Sequence, residues 1–575
     1  MENAQKKVES ILEEEGNSKE RKKTMSKTPE SIFNTLSDEL IIGVCSPIGS
    51  KKEPFIDLLE DKLKSDFNYE VIRIKLSALI DETDISETDK NREDESFFKS
   101  DNHNKNIYQR YYNKIQLGNI VRKYRGNGFL AEKAIERIYN DRVNEAKKKY
   151  IKKISENNSN KVLSLDKDAK IKSLEDKANL ELKEERIDID QAKKEFKPLP
   201  TDFESRRVCY IVDSLKTKEE LKIFSSIYSE NFYLISIFSS LSERKSNLKR
   251  KGFSEEDIVR IINLDDKQKE KYGQNVRDVF VEGDLFIRSS EVTKLDFDRK
   301  VSRFLDLIFE TNIVTPTIEE TAMYNAKAAA GNSACMSRQV GACIIDENNN
   351  ILSVGWNDVP KFGGNLYFSD FKKDHRCFNH GFCSNDEQKD NLVNNIIETL
   401  FNNEKVKDKL DSIEGLKEKL LQDIRKNSKV KDLIEFSRSV HAEMHAIIQG
   451  ALLTGDKLLS SRLFCTTYPC HNCARHIVAA GIKEVYYIEP YVKSLCLTLH
   501  EDAMTDNEEI SGKVKILIFD GISPKRYLSF FTNFAERKQN GKFIKKEKKS
   551  ASLKTRKSLQ ALSTLEAQAV HSNNS

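Results

Sequence analysis

Short apolar runs alternate with amphipathic stretches in the first half of this chain, which is the pattern of strands alternating with helices. Apolar runs of strand length occur at 39–45, 69–76, 208–215 and 231–240. Continuous runs of this kind are typical of strands buried on both faces of a parallel sheet. An amphipathic stretch near 53–64 predicts a helix after the first strand. We therefore predict a parallel α/β domain over 38–312, with a Lys- and Glu-rich helical insertion at 107–195.

A second α/β unit is predicted over 313–535. Its apolar pattern indicates a hairpin of strands at 340–346 and 351–356, a helix at 441–453, a strand at 462–467 and a helix at 470–481. Residues 361–437 interrupt this pattern with a glycine-rich aromatic loop and charged helices, so we interpret them as an insertion. Both chain ends, 1–37 and 536–575, are polar, and we predict that they are disordered.

The composition bears on where the protein acts and what it binds. The net charge of +4 over 575 residues is close to balance and does not indicate a particular class of binding partner. No run of about 18 apolar residues exists and the N-terminus has no apolar signal region, so we expect no membrane span and no export. Ten cysteines without such a signal indicate a reducing cytoplasm. Ten Lys or Arg against two acidic residues over 536–557 make RNA a candidate partner of the tail.

Histidine and cysteine are concentrated in one region. Five of the ten Cys and six of the nine His lie between 375 and 476. Cys470 and Cys473 follow Pro469 at a predicted helix start, where their spacing puts both on one helix face and the helix dipole favours thiolates. His441 also begins a predicted helix. One His and two Cys can hold a zinc ion and leave its fourth position for water, so we predict that His441, Cys470 and Cys473 are metal ligands.

Glu443 lies two residues after His441 and is predicted to act as the general acid and base rather than as a ligand. The combination H-x-E with P-C-x-x-C is the signature of zinc-dependent nucleobase deaminases. It indicates hydrolytic deamination of a cytosine or an adenine ring. The alternative is a structural zinc knuckle without catalysis.

Two further segments, 337–342 (SRQVGA) and 355–357 (GWN), accompany these motifs. Together they resemble the deoxycytidylate (dCMP) deaminase family, over about 316–520. The resemblance implies a cytidine-deaminase-like α/β/α fold, zinc as cofactor, and conversion of a deoxycytidine nucleotide (dCTP or dCMP) to a deoxyuridine nucleotide and ammonia. It also implies that Asn357 contacts the sugar or base. Arg338 is either a phosphate contact or a salt-bridge partner.

Tyr491, Lys493 and His500 are similar to residues of a subset of these enzymes that is fused to a kinase-like domain. Bacterial members of that subset are anti-phage defence deaminases that drain the dCTP or dCMP pool. The resemblance implies the same role here, with these three residues binding substrate and with Lys493 and His500 facing its phosphates.

A second His and Cys cluster, made of His375, Cys377, His380 and Cys383, falls within nine residues. Four such groups can complete a tetrahedral zinc site. The tight spacing would strain a four-ligand loop, so Cys335, His445 or the start of the helix at 441–453 can supply one ligand instead. Some dCMP deaminases carry a second, structural zinc here, and the resemblance implies one in this chain. The alternative is a flexible loop with free thiols.

The loop at 46–53 follows a strand and precedes a helix, where a Walker A phosphate loop would lie. Aligned on Lys52, that motif retains the lysine and an internal Gly49, while Ser46, Lys51 and Glu53 replace its two terminal glycines and its hydroxyl residue. The fold resembles P-loop nucleotide kinases, with Asp213 at a strand end. We predict a degenerate loop in which Gly49, Ser50 and Lys52 bind a regulatory nucleotide without phosphoryl transfer.

Two other functions stay open. A polynucleotide deaminase acting on RNA or single-stranded DNA would share both motifs, although the kinase-like domain favours a free nucleotide. A regulatory nucleotide sensor would use zinc only for structure, although Glu443 argues against this. We also expect a homo-oligomer.

Overall fold

Two six-stranded sheets and a short hairpin form the framework of this computed structural model, which describes residues 35–83, 106–171, 196–266, 268, 272–289, 294–403, 407–489, 494–532 and 536–574. The strands are β1 Leu40–Cys45, β2 Glu70–Lys75, β3 Val208–Asp213, β4 Phe232–Phe238, β5 Leu285–Arg288, β6 Gly341–Ile345, β7 Ile351–Trp356, β8 Arg462–Thr467, β9 Glu484–Glu489, β10 Met504–Thr505, β11 Val514–Ile518, β12 Gly521–Ile522, β13 Lys538–Gln539 and β14 Lys542–Phe543.

The α-helices of the same residues are α1 Glu53–Ser65, α2 Leu76–Leu79, α3 Ile107–Arg125, α4 Phe129–Ile171, α5 Lys218–Tyr228, α6 Leu241–Arg250, α7 Glu255–Asp266, α8 Val276–Phe280, α9 Lys294–Phe309, α10 Ile318–Ala330, α11 Cys377–His380, α12 Ser384–Phe401, α13 Lys407–Asp411, α14 Leu416–Asn427, α15 Ala442–Thr454, α16 His471–Ala479, α17 Cys496–Leu499, α18 Tyr527–Phe531 and α19 Leu559–Asn574. None of the described helices is both long and apolar enough to cross a membrane.

The first sheet has the order β2-β3-β1-β4-β5-β12, and its first five strands are parallel. Every residue of β1 and of β3 is buried. That burial explains why both segments are almost continuously apolar in sequence. The predicted parallel α/β architecture of the first half is therefore confirmed. Its likeness to nucleotide kinases stays a prediction.

The second sheet has the order β7-β6-β8-β9-β11-β10. Strand β6 pairs antiparallel with β7 and β8, and β8, β9, β11 and β10 run parallel. Side chains alternate between its faces, as the period of a strand requires. Ala342 and Ile344 pack under α15 and α16, whereas Cys343 and Ile345 join a core shared with the first sheet. The predicted hairpin of β6 and β7 is confirmed.

The C-terminal segment corrects the predicted domain limits and the predicted disorder of 536–575. Strand β12 extends the first sheet by pairing antiparallel with β5. Ala551 and Leu553 are buried in the core beneath that sheet, and Leu562 joins the shared core from α19. The tail is ordered over 536–574 because these apolar side chains, scattered among many lysines, each find a buried site. The N-terminal prediction, in contrast, lies largely outside the described residues, since 1–34 are not among them.

A buried ionic cluster fixes α19 to the first half of the chain. The guanidinium of Arg142, on α4, lies between the carboxylates of Glu39 and Glu566, with N–O distances of 2.7 and 3.0 Å. All three side chains are at most 2% exposed. Glu39 is also paired with Arg206, at 3.0 Å. Burial raises the pKa of Glu566 from 4.5 to about 7 against the effect of Arg142, and the neighbouring Glu39 carboxylate raises it further.

Candidate active site

The three predicted metal ligands come together at two helix starts. His441 is the N-cap of α15 and Cys470 is the N-cap of α16, with Cys473 in the first turn. The Nδ1 atom of His441 lies 3.3 Å from each of the two Sγ atoms. Ligands bound to one tetrahedral zinc ion at about 2.0–2.3 Å lie about 3.6 Å apart. The residues therefore fit a zinc ion, and no other His, Cys, Asp or Glu set of three or more among the described residues converges in this way.

Close packing of the second sheet fixes the helix that carries His441. Gly355, in β7, has no side chain, and a Cβ atom there would come within 2.4 Å of the Ala442 carbonyl oxygen and the Ala446 nitrogen. Strand and helix backbones thus touch directly at this point. The imidazole of His445, one turn along α15, accepts a hydrogen bond at Nδ1 from the Trp356 N–H, at 3.3 Å. These contacts set the position of the helix start.

The electrostatics of the three groups favour a thiolate. The hydrogen bond from Cys473 lowers the pKa of Cys470 most, and the hydrogen bond and charge of His441 add to it, bringing the pKa from 9.0 to about 4 against the effect of burial. Burial opposes the charged form of His441, but the Cys470 thiolate raises the pKa of His441 overall. Burial raises the pKa of Cys473 well above its ordinary range. A thiolate at Cys470 is therefore favoured at neutral pH even without a metal.

Glu443 lies in the first turn of α15 and is 4% exposed. Burial raises its pKa from 4.5 to about 7, and the Cys470 thiolate contributes further. A carboxyl group with a pKa near neutrality can both accept and donate a proton under working conditions. Glu443 is not in the converging ligand set, and it lines the same cavity as His441 and Cys470. Its position suits proton transfer beside the metal site.

The cavity over these residues has a volume of about 450 Å³. Asn357 lines it and is 7% exposed; its Oδ1 accepts from the Val340 N–H at 2.7 Å and its Nδ2 donates to the Arg338 carbonyl at 2.8 Å. Asn357 therefore holds the 338–340 loop as one wall. Arg338 also lines the cavity, and its guanidinium forms an ion pair with Glu489 at 3.2 Å. A salt bridge was the predicted alternative to a phosphate contact for this residue.

The other predicted substrate residues are not brought to this cavity by the described part of the chain. His500 follows α17 and is not among the lining residues. Tyr491 and Lys493 lie outside the described residues. Their predicted contacts with substrate stay predictions.

The second His and Cys cluster does not assemble, which corrects the predicted second zinc site. His375 and His380 are exposed, with ring centroids 5.9 Å apart, whereas Cys377 and Cys383 line the cavity over the metal site. The short helix α11 and the left-handed turn at Gly381 separate the pairs. Cys335 lines the cavity as well, but no three ligand atoms of this group lie within 4.8 Å of one another. Spacing in sequence did not reveal that half of the cluster faces solvent.

In the degenerate phosphate loop at 46–53, backbone N–H groups and the lysine bind side chains of the same chain. The Ile48 N–H donates to the Asp265 carboxylate at 2.6 Å, and the Lys51 N–H donates to the Ser239 hydroxyl at 3.2 Å. The Lys52 ammonium lies 2.5 Å from an Asp213 oxygen and 2.9 Å from the Ser214 hydroxyl.

Gly49 has a φ of 88°, and a Cβ there would lie 2.8 Å from the Arg244 carbonyl. The Ser50 hydroxyl is buried and makes no hydrogen bond within the described residues. Backbone donors that would hold a phosphate in an active loop thus bind a carboxylate and a hydroxyl of the same chain. Nucleotide binding by Gly49, Ser50 and Lys52 stays a prediction.

Sequence reasoning missed three cations of the cavity wall. Lys389, Lys431 and Arg438 all line it. Arg438 is three residues before His441, which is a signal that the sequence offered, whereas Lys389 and Lys431 reach the cavity only because the insertion folds back over it. These residues bear on which substrates fit.

Comparison with known proteins identifies the region that contains the site. Residues 316–489 match the family described as the cytidine and deoxycytidylate deaminase zinc-binding region. A probable deoxycytidylate deaminase of Drosophila melanogaster is 27% identical over 190 residues, which is 33% of this chain and 62% of the fly protein. The deoxycytidylate deaminase of Enterobacteria phage T2 is 27% identical over 175 residues, covering 30% of this chain and 81% of the phage protein.

Among solved structures, the dCMP deaminase of cyanophage S-TIM5 in complex with dCMP and dUMP is 22% identical, covers 36% of this chain and 99% of its own, and has a TM-score of 0.21. A score this low carries no weight for the fold. The chain spans less than two thirds of the fly relative, and each of these relatives and solved structures covers at most 36% of this chain. The matched region, 316–489, contains His441, Cys470 and Cys473, so this chain is similar to the cytidine and deoxycytidylate deaminase family over the part that holds the three converging residues.

Proposed function

We propose that this protein is a zinc-dependent deaminase that converts deoxycytidine nucleotides to deoxyuridine nucleotides and ammonia. The observation that carries the proposal is the position of Glu443. It is a buried carboxyl group, with a pKa near 7, in the same cavity as a His, Cys, Cys set that fits zinc. A structural zinc site would need no such group.

His441, Cys470 and Cys473 would hold the zinc ion, and Cys470 is already inclined to be a thiolate. When bound, zinc supplies a Lewis acid that lowers the pKa of water to about 7. Glu443 accepts one proton of the attacking water and delivers it to the ring nitrogen, then carries the second proton to the leaving amine. Water thus gives its oxygen to the ring, and the exocyclic nitrogen leaves as ammonia. The Asn357 side chain orients the 338–340 wall against the substrate.

The size of the cavity supports a small substrate. A volume of about 450 Å³ lies in the range of small-molecule sites, about 300–1,000 Å³. Relatives named deoxycytidylate deaminases support the same choice. A polynucleotide would need a groove that continues beyond the reacting base. We therefore favour a free nucleotide, dCMP or dCTP, over RNA or single-stranded DNA.

The first half of the chain is proposed to be a kinase-like domain that has lost phosphoryl transfer. The support is the loop between β1 and α1, whose backbone donors are bound to Asp265 and Ser239 and whose Lys52 is paired with Asp213. A role in anti-phage defence through dCTP depletion in the cytoplasm follows from the resemblance of the sequence and belongs to the same proposal.

The test is an assay of the purified, zinc-loaded chain on dCMP, dCTP, deoxycytidine and a cytosine-containing oligonucleotide. Ammonia and the deaminated product are measured for each compound. We expect turnover of at least one of the two nucleotides in preference to the oligonucleotide. Absence of turnover on all four compounds, with one zinc bound per chain, would refute the proposal.

A further inference from the structure

The insertion at 361–437 forms one wall of the catalytic cavity. Helix α12 presents its first turn there, through Ser384 and Asn385, and the segment after α14 contributes Lys431 and Ile434. Arg438 follows on the connection to His441. This connection is held in place because the Val440 N–H donates to the Asp358 carbonyl at 2.9 Å. The wall and the metal ligands therefore line one cavity.

The acidic groups of this cavity, apart from Glu443, are neutralised by arginines outside it. Asp386 pairs with Arg425 at 2.8 Å, and Asp358 lies 3.7 Å from the guanidinium of Arg376. Neither arginine lines the cavity. These two carboxylates therefore do not balance cations on the cavity wall.

Two cations on this wall are not paired in the same way. Lys431 and Arg438 line the cavity, and neither has a carboxylate within 4.0 Å among the described residues. Lys389 is 5% exposed, lines the same wall and donates to the Lys431 carbonyl at 3.0 Å. Arg338, on the other side, is already paired with Glu489. The insertion thus gives the cavity a net positive wall that faces the metal site.

We propose that Lys431 and Arg438, supported by Lys389 and the start of α12, form the phosphate subsite of this enzyme. The proposal rests on the proposed deaminase function and specifies its substrate class as a 5′-nucleotide rather than a nucleoside. Arg438 is three positions before His441, a span of at most about 11 Å of chain. A nucleotide can therefore place its base at the metal and its phosphate at Arg438. Ser384 and Asn385, at the start of α12, lie on the same wall.

The experiment compares dCMP, dCTP, deoxycytidine and a short oligonucleotide as substrates of the wild type, Lys431→Ala, Arg438→Ala and the double variant. A charge-assisted hydrogen bond contributes about 1.5–3 kcal/mol, so the ratio of kcat/KM on dCMP to that on deoxycytidine should fall about 10- to 100-fold in Arg438→Ala. Most of this change should be in KM. Arg438→Lys should restore part of the ratio.

Lys426→Ala is the matched control, because Lys426 is an exposed cation of the same insertion that does not line the cavity. It should leave the ratio unchanged. An unchanged ratio in the double variant, a wild type that uses deoxycytidine as well as dCMP, or a preference for the oligonucleotide would each overturn the phosphate subsite. A wild type without activity on any cytosine compound would instead refute the deaminase function itself.

Discussion

Arg142 and Glu566 are 424 residues apart in sequence, yet their side chains meet at 3.0 Å in a fully buried site. The contact joins the last helix, α19, to the long helix α4 of the first half. Glu39, the residue before β1, contacts the same guanidinium, so α19 and the start of the first sheet pair with one cation. This ionic contact, whose energy varies with pH, therefore adds to the apolar burial that holds the C-terminal tail in place.

Glu566→Gln should remove a pH dependence of stability. The pKa of Glu566 is about 7 in the folded chain and 4.5 when unfolded, so the folded state binds the extra proton between these values. Below pH 4.5 Glu566 contributes about 3 kcal/mol to the free energy of unfolding, at 1.36 kcal/mol per pKa unit. This contribution is lost as the pH rises through 7. As the pH rises from 5 to 8, the urea concentration at the unfolding midpoint of the wild type should decrease relative to that of Glu566→Gln.

Glu547→Gln serves as the control for that titration, because Glu547 is an exposed glutamate of the same tail. It should follow the wild type at every pH. A Glu566→Gln variant with the wild-type pH profile would show that Glu566 does not hold a proton in the folded chain.

Cys470→Ser and Cys473→Ser should each lose the bound zinc, because three ligands are the minimum that a catalytic zinc site uses. Elemental analysis should give about one zinc per chain for the wild type and much less for both variants. Cys383→Ser is the matched control and should keep its zinc, since the 375–383 cluster does not converge. Two zinc ions in the wild type, with one lost in Cys383→Ser, would restore the second metal site that the geometry argues against.

Glu443→Gln should keep zinc and lose activity. The amide has nearly the same shape but cannot accept the proton of water, so we expect kcat to fall at least about 10²-fold. Zinc content and kcat are measured on the same preparation. Activity near that of the wild type at equal zinc content would remove Glu443 from the mechanism.

Lys52→Ala should lower stability rather than abolish a catalytic activity. The Lys52 and Asp213 side chains are 21% and 8% exposed, so removal of the lysine leaves a largely buried carboxylate unpaired, at about 1–3 kcal/mol. Because the loss comes from the unpaired charge, the double variant Lys52→Ala, Asp213→Asn should recover part of it. Robust ATP hydrolysis by the wild type that disappears in Lys52→Ala would show instead that the loop is an active phosphate site.

Features of the fold and of the site that depend on residues close together in the chain could be predicted from the sequence. Continuous apolar runs indicated β1 and β3, and alternation indicated the β6–β7 hairpin, because burial imposes both patterns directly. His441, Cys470 and Cys473 could be grouped because two helix starts with complementary ligands are recognisable from spacing alone. Each of these inferences needed only residues close together in the chain.

Contacts between distant segments could not be predicted in this way. The tail was predicted to be disordered because lysines dominate its composition, and Leu562 gives no local sign that it reaches the shared core. Strand β12 is two residues long, too short for any periodicity. Lys431 reaches the cavity only because the insertion folds over it, which brings this cation beside Arg438 and the metal ligands of other segments.

The most direct measurement of the central claim is deamination of dCMP and dCTP in water enriched in oxygen-18, with the zinc-loaded wild type and Glu443→Gln side by side. Hydrolytic attack at the metal site predicts one ammonia for each deoxyuridine nucleotide formed, with the new carbonyl oxygen taken from labelled water, and little product from Glu443→Gln. Product without the label, or no product from a wild type that carries a full complement of zinc, would contradict it.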